Sequence, residues 1–206
     1  MKLRSEIKAQ ARNGFTSKYG TCIGAIIVFG LLSAAASSIS FGLGVFFLVP
    51  PLFVGYAAFN LNVYRGQQPD VADIFAKGFA DYWNKVAGML LMWVFTFLWS
   101  LLLIIPGIVK ALAYSMTPYI LAETDVEASD ALKLSMRMTK GHKGAIFVMI
   151  LSFIGWWLLT ILTFGLLYLL YSGPYFHASF AGLYDELKAE ALRNGTIRPE
   201  EFVPVL

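Results

Sequence analysis

The stretch IIPGIVKALAYSMTPYILAE, residues 104–123, decides the fold class of this chain. It is almost entirely apolar, yet a Pro-Gly pair stands near its start, Pro118 follows, and Lys110 is its one basic residue. About 20 apolar residues are enough for a helix to cross the hydrocarbon core of a bilayer. Gly and Pro favour a tight turn between two antiparallel helices. The stretch therefore predicts the turn and the return helix of a transmembrane hairpin.

The composition of the whole chain points to the same environment. Of its 206 residues, 58% are hydrophobic and 14% are charged, whereas soluble domains are about 45–50% apolar and about 25% charged. A globule of this size cannot bury such a surplus of apolar surface, so we expect a lipid bilayer around it. Cys22 is the single cysteine, which excludes an internal disulfide. The net charge of +3 does not indicate a nucleic-acid partner.

Three long blocks carry no charged residue, apart from Lys110 in the second: residues 19–64, 86–122 and 144–184. Each block has room for two spans and has a Gly- or Pro-containing break near its middle. We therefore predict an all-α, polytopic membrane protein, with one transmembrane domain over residues 1–206 and three antiparallel hairpins at about 20–63, 86–122 and 144–184. The six predicted spans are 20–39, 43–63, 86–105, 107–122, 144–163 and 166–184.

The three hairpins resemble one another, which favours an internal repeat. Each opens with a lysine, turns at a glycine and carries a proline in its return helix: Lys18, Gly42 and Pro51; Lys85, Gly107 and Pro118; Lys143, Gly165 and Pro174. The alternative is that all hairpins in lipid look alike in Leu, Gly and Pro. Each proline should free a carbonyl four residues earlier, so three kinks could line a central cavity or merely curve the bundle.

Polar segments with a helical period precede the hairpins, at about 3–18, 70–83 and 125–140. Such helices either lie in the headgroup plane or pack under the bundle as connectors. With six spans, every lysine and arginine except Lys110 falls on one side, so both termini should be cytoplasmic. The tail from 196 to 206, which contains two prolines, is predicted to be loose.

Several stretches resemble a known family. IIPGIVKALAYSM (104–116), GHKGAIFVMILSFIGWWLL (141–159) and PYFHASFAGLYDEL (174–187) are similar to the bacterial integral membrane proteins called domain of unknown function 975. The resemblance covers nearly the whole chain, and Glu123 departs from it where an aspartate is expected. It implies a multi-pass protein of the bacterial cell membrane and brings no assigned reaction. In hairpin plan only, the chain also resembles membrane domains attached to glycerophosphodiester phosphodiesterases.

Polar and kinked positions inside the predicted spans are candidate contacts for a cavity or a lipid. Lys110 either snorkels to the headgroups or contacts a pore, a lipid phosphate or a substrate. His177 and Asn60 are either hydrogen-bond partners of neighbouring helices or polar lining, and the tyrosines line the interior or anchor at the interface. The candidate residues are Asn60, Lys110, Tyr114, Pro118, Tyr119, Pro174, Tyr175 and His177.

The segment KGHKG offers Lys140, His142 and Lys143 as candidate headgroup contacts. The chain contains no HExxH, CxxC, Walker or GxSxG motif, so we expect no enzyme, cofactor or metal site. Two hypotheses follow. In the first, the protein binds or passes a small solute or lipid through the centre of the bundle. In the second, it is a scaffold or regulatory protein that packs against membrane proteins or copies of itself. Membrane lipids are partners in both.

Overall fold

The computed structural model describes residues 2–38 and 42–202, and this part of the chain is all-helical. Its helices are α1 Arg4–Ser17, α2 Tyr19–Ser38, α3 Gly44–Tyr64, α4 Ala72–Phe79, α5 Tyr82–Leu102, α6 Ile104–Tyr114, α7 Thr117–Glu123, α8 Ala128–Met138, α9 Lys143–Leu151, α10 Ile154–Leu162 and α11 Gly173–Arg193. A π-helical turn, Tyr168–Ser172, precedes α11, and a 3-10 turn, Pro199–Glu201, follows it. The first predicted hairpin turn falls partly on 39–41, outside the described residues.

Five helical stretches are long and apolar enough to cross a membrane: Tyr19–Ser38, Gly44–Tyr64, Tyr82–Leu102, Ile104–Glu123 and Lys143–Leu162. They lie within a few residues of the first five predicted spans. The all-α fold class is thus confirmed, and the five helices indicate a membrane-embedded protein. The sixth predicted span, 166–184, falls on the π-helical turn and the first half of α11, whose second half is charged.

The second hairpin turns earlier than predicted. α5 ends at Leu102, and Leu103 is extended, with φ −160° and ψ 141°, before α6 begins. Pro106 therefore lies in the first turn of α6, where its missing N–H would have no helical partner anyway. Gly107 packs against Ser100 of α5, because a Cβ on it would come within 2.7 Å of the Ser100 Cα. Pro106 and Gly107, which were predicted to form the turn, therefore lie in the first turn of the return helix. Gly107 allows this helix to lie close to α5.

The predicted kink at Pro118 is a break in the return helix. α6 ends at Tyr114 and α7 begins at Thr117, so backbone groups lose their helical partners between them. Ser135 of α8 replaces those partners: its hydroxyl accepts from the Met116 N–H at 3.3 Å and donates to the Ala113 carbonyl at 2.8 Å. In an apolar environment such groups must be paired within the protein. The break therefore depends on α8 packing beside it.

The other two prolines are accommodated differently. Pro51 lies inside α3, which continues through it, and the Phe47 carbonyl four residues earlier accepts a hydrogen bond from the Tyr82 hydroxyl at 3.0 Å. Pro174 stands in the first turn of α11, directly after the π-helical turn. Pro118 thus follows an open break and Pro174 a π-helical turn, whereas α3 continues through Pro51.

Short helices pack between the long ones. Ile7, Ala11 and Phe15 form the fully buried face of α1. This helix runs antiparallel to α11, because Lys2 pairs with Glu186 while the Phe15 ring meets the Tyr171 ring at 5.5 Å. Two arrangements were predicted for α1: lying in the headgroup plane, or packing under the bundle as a connector. These contacts match the second.

α4 crosses α3 at two glycines. A Cβ on Gly55 would collide with the Ile74 carbonyl oxygen, and one on Gly78 would lie 2.5 Å from that of Pro51. The backbones of the two helices are thus in direct contact, which explains why both positions are glycine.

The predicted loose tail makes contacts through Phe202. Ile197 is fully buried, and the Arg137 guanidinium binds both the Thr196 carbonyl and the Glu201 carboxylate. The Lys188 ammonium lies 4.7 Å from the centre of the Phe202 ring. Residues 203–206 of the tail lie outside the described residues.

Candidate functional site

A cavity of about 460 Å³ lies between α3, α5, the α6–α7 break and α11. Its walls are largely aromatic and aliphatic, and four of the lining side chains are polar. The lining residues are Phe53, Met92, Trp93, Thr96, Phe97, Ala111, Ser115, Pro118, Tyr119, Phe176, His177 and Phe180. Both the volume and this mixture of walls are typical of small-molecule sites, which are mostly apolar with a few placed polar groups.

The helix break shapes one wall of this cavity. Because α6 stops before Pro118, Ser115 lies at the break and donates its hydroxyl to the Leu112 carbonyl at 2.8 Å. Pro118 and Tyr119 then start α7 on the same wall. The break therefore places Ser115, Pro118 and Tyr119 on one wall of the cavity.

His177 contributes the opposite wall from α11. Its Nε2 lies 3.2 Å from the Tyr168 hydroxyl, and its ring meets the edge of the Tyr56 ring at 5.0 Å. The hydrogen-bond partner is therefore in the π-helical turn just before the same helix, whereas the interhelical hypothesis placed it on a neighbouring one. Phe53 and Phe176 complete an aromatic surround. The imidazole is the one nitrogen-containing ring other than Trp93 on the cavity wall.

The cavity brings together three of the eight predicted contact residues: Pro118, Tyr119 and His177. Lys110, the sharpest candidate from the sequence, lies elsewhere. Its Nζ is 4.8 Å from the centre of the Trp99 ring and 4.0 Å from Met136 Sδ. A cation over an aromatic face is partly stabilised without a carboxylate.

The remaining predicted contacts are also outside the cavity wall. Asn60 is buried and donates to the Tyr56 carbonyl of its own helix at 2.7 Å. Tyr114 is buried with its ring 6.5 Å from that of Phe95. Pro174 is buried at the start of α11, and the neighbouring Tyr175 packs its ring 5.1 Å from that of Phe153.

The three residues predicted to contact lipid headgroups lie just after the end of α8. His142 Nε2 lies 3.4 Å from a carboxylate oxygen of Glu190 on α11. Lys140 is exposed and Lys143 is half-buried at the start of α9. The histidine thus ties two helices together, and the lysines remain available to the surroundings.

An ionic cluster that was not predicted joins the ends of α3 and α7 to the second half of α11. The Glu123 carboxylate, at the end of α7, binds Arg65 just after α3 and both Tyr184 and Lys188 of α11. Arg65 also makes a two-point contact with Asp185. Burial alone would lower the pKa of the Arg65 guanidinium, but its hydrogen bonds to Asp185 and Glu123 outweigh burial and raise that pKa. The available sequence signal is that Arg65, Glu123 and Asp185 each close an apolar block.

A family model described as "Protein of unknown function (DUF975)" matches residues 82–191, from the start of α5 into the last turn of α11. The chain belongs to this family. The resemblance found in the sequence is thereby confirmed. The DUF975 match includes the cavity wall except Phe53, and α1 to α4 precede it. No curated protein and no solved structure matches the chain.

Proposed function

We propose that this DUF975 protein binds one predominantly apolar small molecule, a lipid chain or a solute of similar size, in the cavity at the α6–α7 break. The observation that carries the proposal is the cavity itself, about 460 Å³ in volume, with His177 as the polar contact. Tyr119, Ser115 and Thr96 offer hydroxyl groups on the same walls. A ligand with one polar end and an apolar body fits this distribution, and binding requires no catalytic step and no cofactor.

The proposed topology has six spans in three related hairpins of a bacterial cell membrane. Five spans are the apolar helices described above, and the sixth is the π-helical turn with the first half of α11. The basic residues of α1, α4, α8 and the C-terminal tail then share the cytoplasmic side, as the positive-inside rule favours. Both termini are cytoplasmic in this arrangement.

A scaffold that packs against membrane proteins or further copies of the chain is the alternative. A scaffold needs no ligand pocket, so a solid core would favour it, whereas a pocket reached by a polar side chain favours ligand binding. The pocket here is partly open, since Phe97 on its wall is 67% exposed. The position of His177 on the cavity wall supports the binding hypothesis.

Ligand binding is tested with a diazirine-bearing palmitic acid, photolysed with the purified full chain. Ala111 lines the cavity and is exposed, so Ala111→Phe should place a ring at the cavity wall. We expect labelling to fall about tenfold, which corresponds to roughly 1.4 kcal/mol of binding free energy. Ala87→Phe, on an exposed face of α5, is the matched control and should label like the parent protein. Equal labelling of all three proteins would reject the cavity as the site and leave the scaffold hypothesis.

The topology is tested separately with single cysteines in a Cys22→Ala background. Thr163→Cys, at the exposed third hairpin tip, should react with an impermeant maleimide on intact cells. Asp130→Cys, on the exposed surface of α8, should react only after the cells are opened. The reverse pattern would overturn the orientation without affecting the cavity proposal.

A further inference from the structure

Three cations form a stripe along α1. Arg4, Lys8 and Arg12 follow one another at four-residue spacing, which places them on one side of a helix. The stripe borders the buried face of α1 on the side of the third hairpin. Its contacts establish this placement, since Arg4 Nη1 reaches the Val148 carbonyl at 3.5 Å and Lys8 Nζ reaches the Ser152 carbonyl at 3.3 Å. We call these three residues the α1 cation stripe.

The α1 cation stripe has no acidic partner within the described part of the chain, since none of the ion pairs found there includes it. Two carboxylates near the start of α1 are engaged: Glu6 accepts from the Leu3 N–H at 2.8 Å, and Glu186 pairs with Lys2. Lys8 is the most enclosed of the three. Its ammonium lies 4.2 Å from the centre of the Phe153 ring, and burial, with the charge of Arg4 added, lowers its pKa.

The apolar surroundings make the positive charge of the Lys8 ammonium unfavourable. Ser152 lies in the middle of the apolar stretch Lys143–Leu162, and exposed apolar side chains surround it on α9 and α10. These include Phe147, Val148, Leu151 and Ile154, which are 42–56% exposed. A cation beside a lipid-facing span is unfavourable unless water or an anion reaches it. An anion at this surface would lower that cost.

A groove of about 630 Å³ opens beside the stripe, between the start of α1 and α9. Ile7, Met149 and Leu183 are among its apolar walls, and Arg4 and Ser5 line its polar end. A Cβ added at Gly144 would meet no atom of a neighbouring element within 4 Å, so this wall is open. The groove thus combines a cationic end with a long apolar floor.

We infer that this groove binds one anionic phospholipid. The phosphate lies against Arg4, the residue of the stripe that lines the groove, and Lys8 adds a positive charge one turn further along α1. One acyl chain lies along Val148 and Met149. Charge-assisted hydrogen bonds from a guanidinium and an ammonium to phosphate are strong where water is scarce. The chain adds apolar burial that a free phosphate ion lacks. This inference is independent of the proposed cavity function, because the two sites share no lining residue.

The experiment measures lipid retention by native mass spectrometry of the full chain in a neutral detergent. Dioleoyl phosphatidylglycerol and dioleoyl phosphatidylcholine are titrated in parallel. We expect one phosphatidylglycerol to bind in clear preference to phosphatidylcholine. The triple variant Arg4→Gln, Lys8→Gln, Arg12→Gln should weaken that binding about tenfold or more. The matched triple variant Lys77→Gln, Lys133→Gln, Arg193→Gln removes the same charge from exposed positions and should bind like the parent protein.

Two further variants separate a built site from general attraction. Ala145→Phe keeps every charge but fills the groove, so it should also weaken phosphatidylglycerol binding. The charge-conserving variant Arg4→Lys, Lys8→Arg, Arg12→Lys should retain it, and Arg4→Gln alone serves if the triple variant does not fold. Equal loss in both charge-removing triples, or no loss in Ala145→Phe, would overturn the inference. So would inorganic phosphate displacing the lipid at equal concentration, because the headgroup alone would then account for binding.

Discussion

The Tyr184 hydroxyl donates a 2.7 Å hydrogen bond to Oε2 of Glu123 and so joins α11 to the end of α7. The same oxygen accepts from Lys188 Nζ at 2.6 Å, and Arg65 reaches the other carboxylate oxygen at 2.6 Å. One carboxylate therefore fixes the ends of α3 and α7 against the second half of α11, and these three helices are far apart in sequence. Charged hydrogen bonds of this kind orient helices that are apolar on all sides and have little else to set their rotation.

Tyr184→Phe tests how much this junction stabilises the fold. The substitution removes one hydrogen bond to a charged group and leaves the ring, which stacks on that of Tyr119 at 5.4 Å. We expect the free energy of unfolding to fall by about 1.5–3 kcal/mol. SDS-induced unfolding followed by tryptophan fluorescence measures it. Tyr171→Phe is the control, because the Tyr171 hydroxyl makes no hydrogen bond within the described residues; equal losses in both variants would contradict the assigned role.

Ser135→Ala tests the pairing across the α6–α7 break. Without its hydroxyl, the Met116 N–H loses its partner and the Ala113 carbonyl keeps only the Thr139 hydroxyl, at 3.2 Å. Leaving a buried backbone group unpaired costs about 1–3 kcal/mol, so unfolding free energy should fall by that amount. Ser129→Ala on the same helix should change it little. If Ser135→Ala leaves the free energy of unfolding unchanged, then water or a shifted backbone pairs the Met116 N–H and the Ala113 carbonyl in place of the serine.

The positions of the five apolar helices could be predicted because they depend on local chemistry. Long uncharged blocks predict apolar helices, and a proline indicates where a helix can be disturbed. Pro118 follows such a break and lines the cavity. Lys110 shows the limit of this reasoning. Trp99 and Met136 come from two other helices and approach its ammonium. Which residues meet across helices depends on helix rotation, and an all-apolar pattern does not fix that rotation.

The turn of the second hairpin could not be placed from its residue types. Pro106 and Gly107 are suited to a turn, but they are equally suited to the first turn of a helix that lies close to its neighbour. Only the packing of Gly107 on Ser100 distinguishes the two. The ionic cluster could not be predicted either. The sequence shows that Arg65, Glu123 and Asp185 each end an apolar block, but it does not show that these residues meet, because that depends on the tertiary packing of the helices.

Gly78→Ala tests the contact between α3 and α4. Its added Cβ would lie 2.5 Å from the Pro51 carbonyl oxygen, so the two backbones must separate. Overpacking of this kind typically costs about 1–3 kcal/mol, and we expect a corresponding loss of unfolding free energy. Gly24→Ala is the matched control, because its Cβ would meet open space and alanine is the better helix former. Equal stability of the two variants would show that α4 moves freely on α3.

Acidification should release the C-terminal tail. The hydrogen bond from the Arg137 side chain holds the pKa of Glu201 down to about 2, from an ordinary 4.5. A carboxyl with a lowered pKa stabilises the bound tail above its ordinary pKa, and that contribution is lost as the pH falls from 4.5 towards 2. Hydrogen exchange of the tail amides, corrected for the intrinsic rate, should therefore lose protection in this window. Glu201→Gln should show weaker protection already at pH 6, with no further loss in the window. If the parent protein and this variant lose protection in parallel, another carboxyl holds the tail.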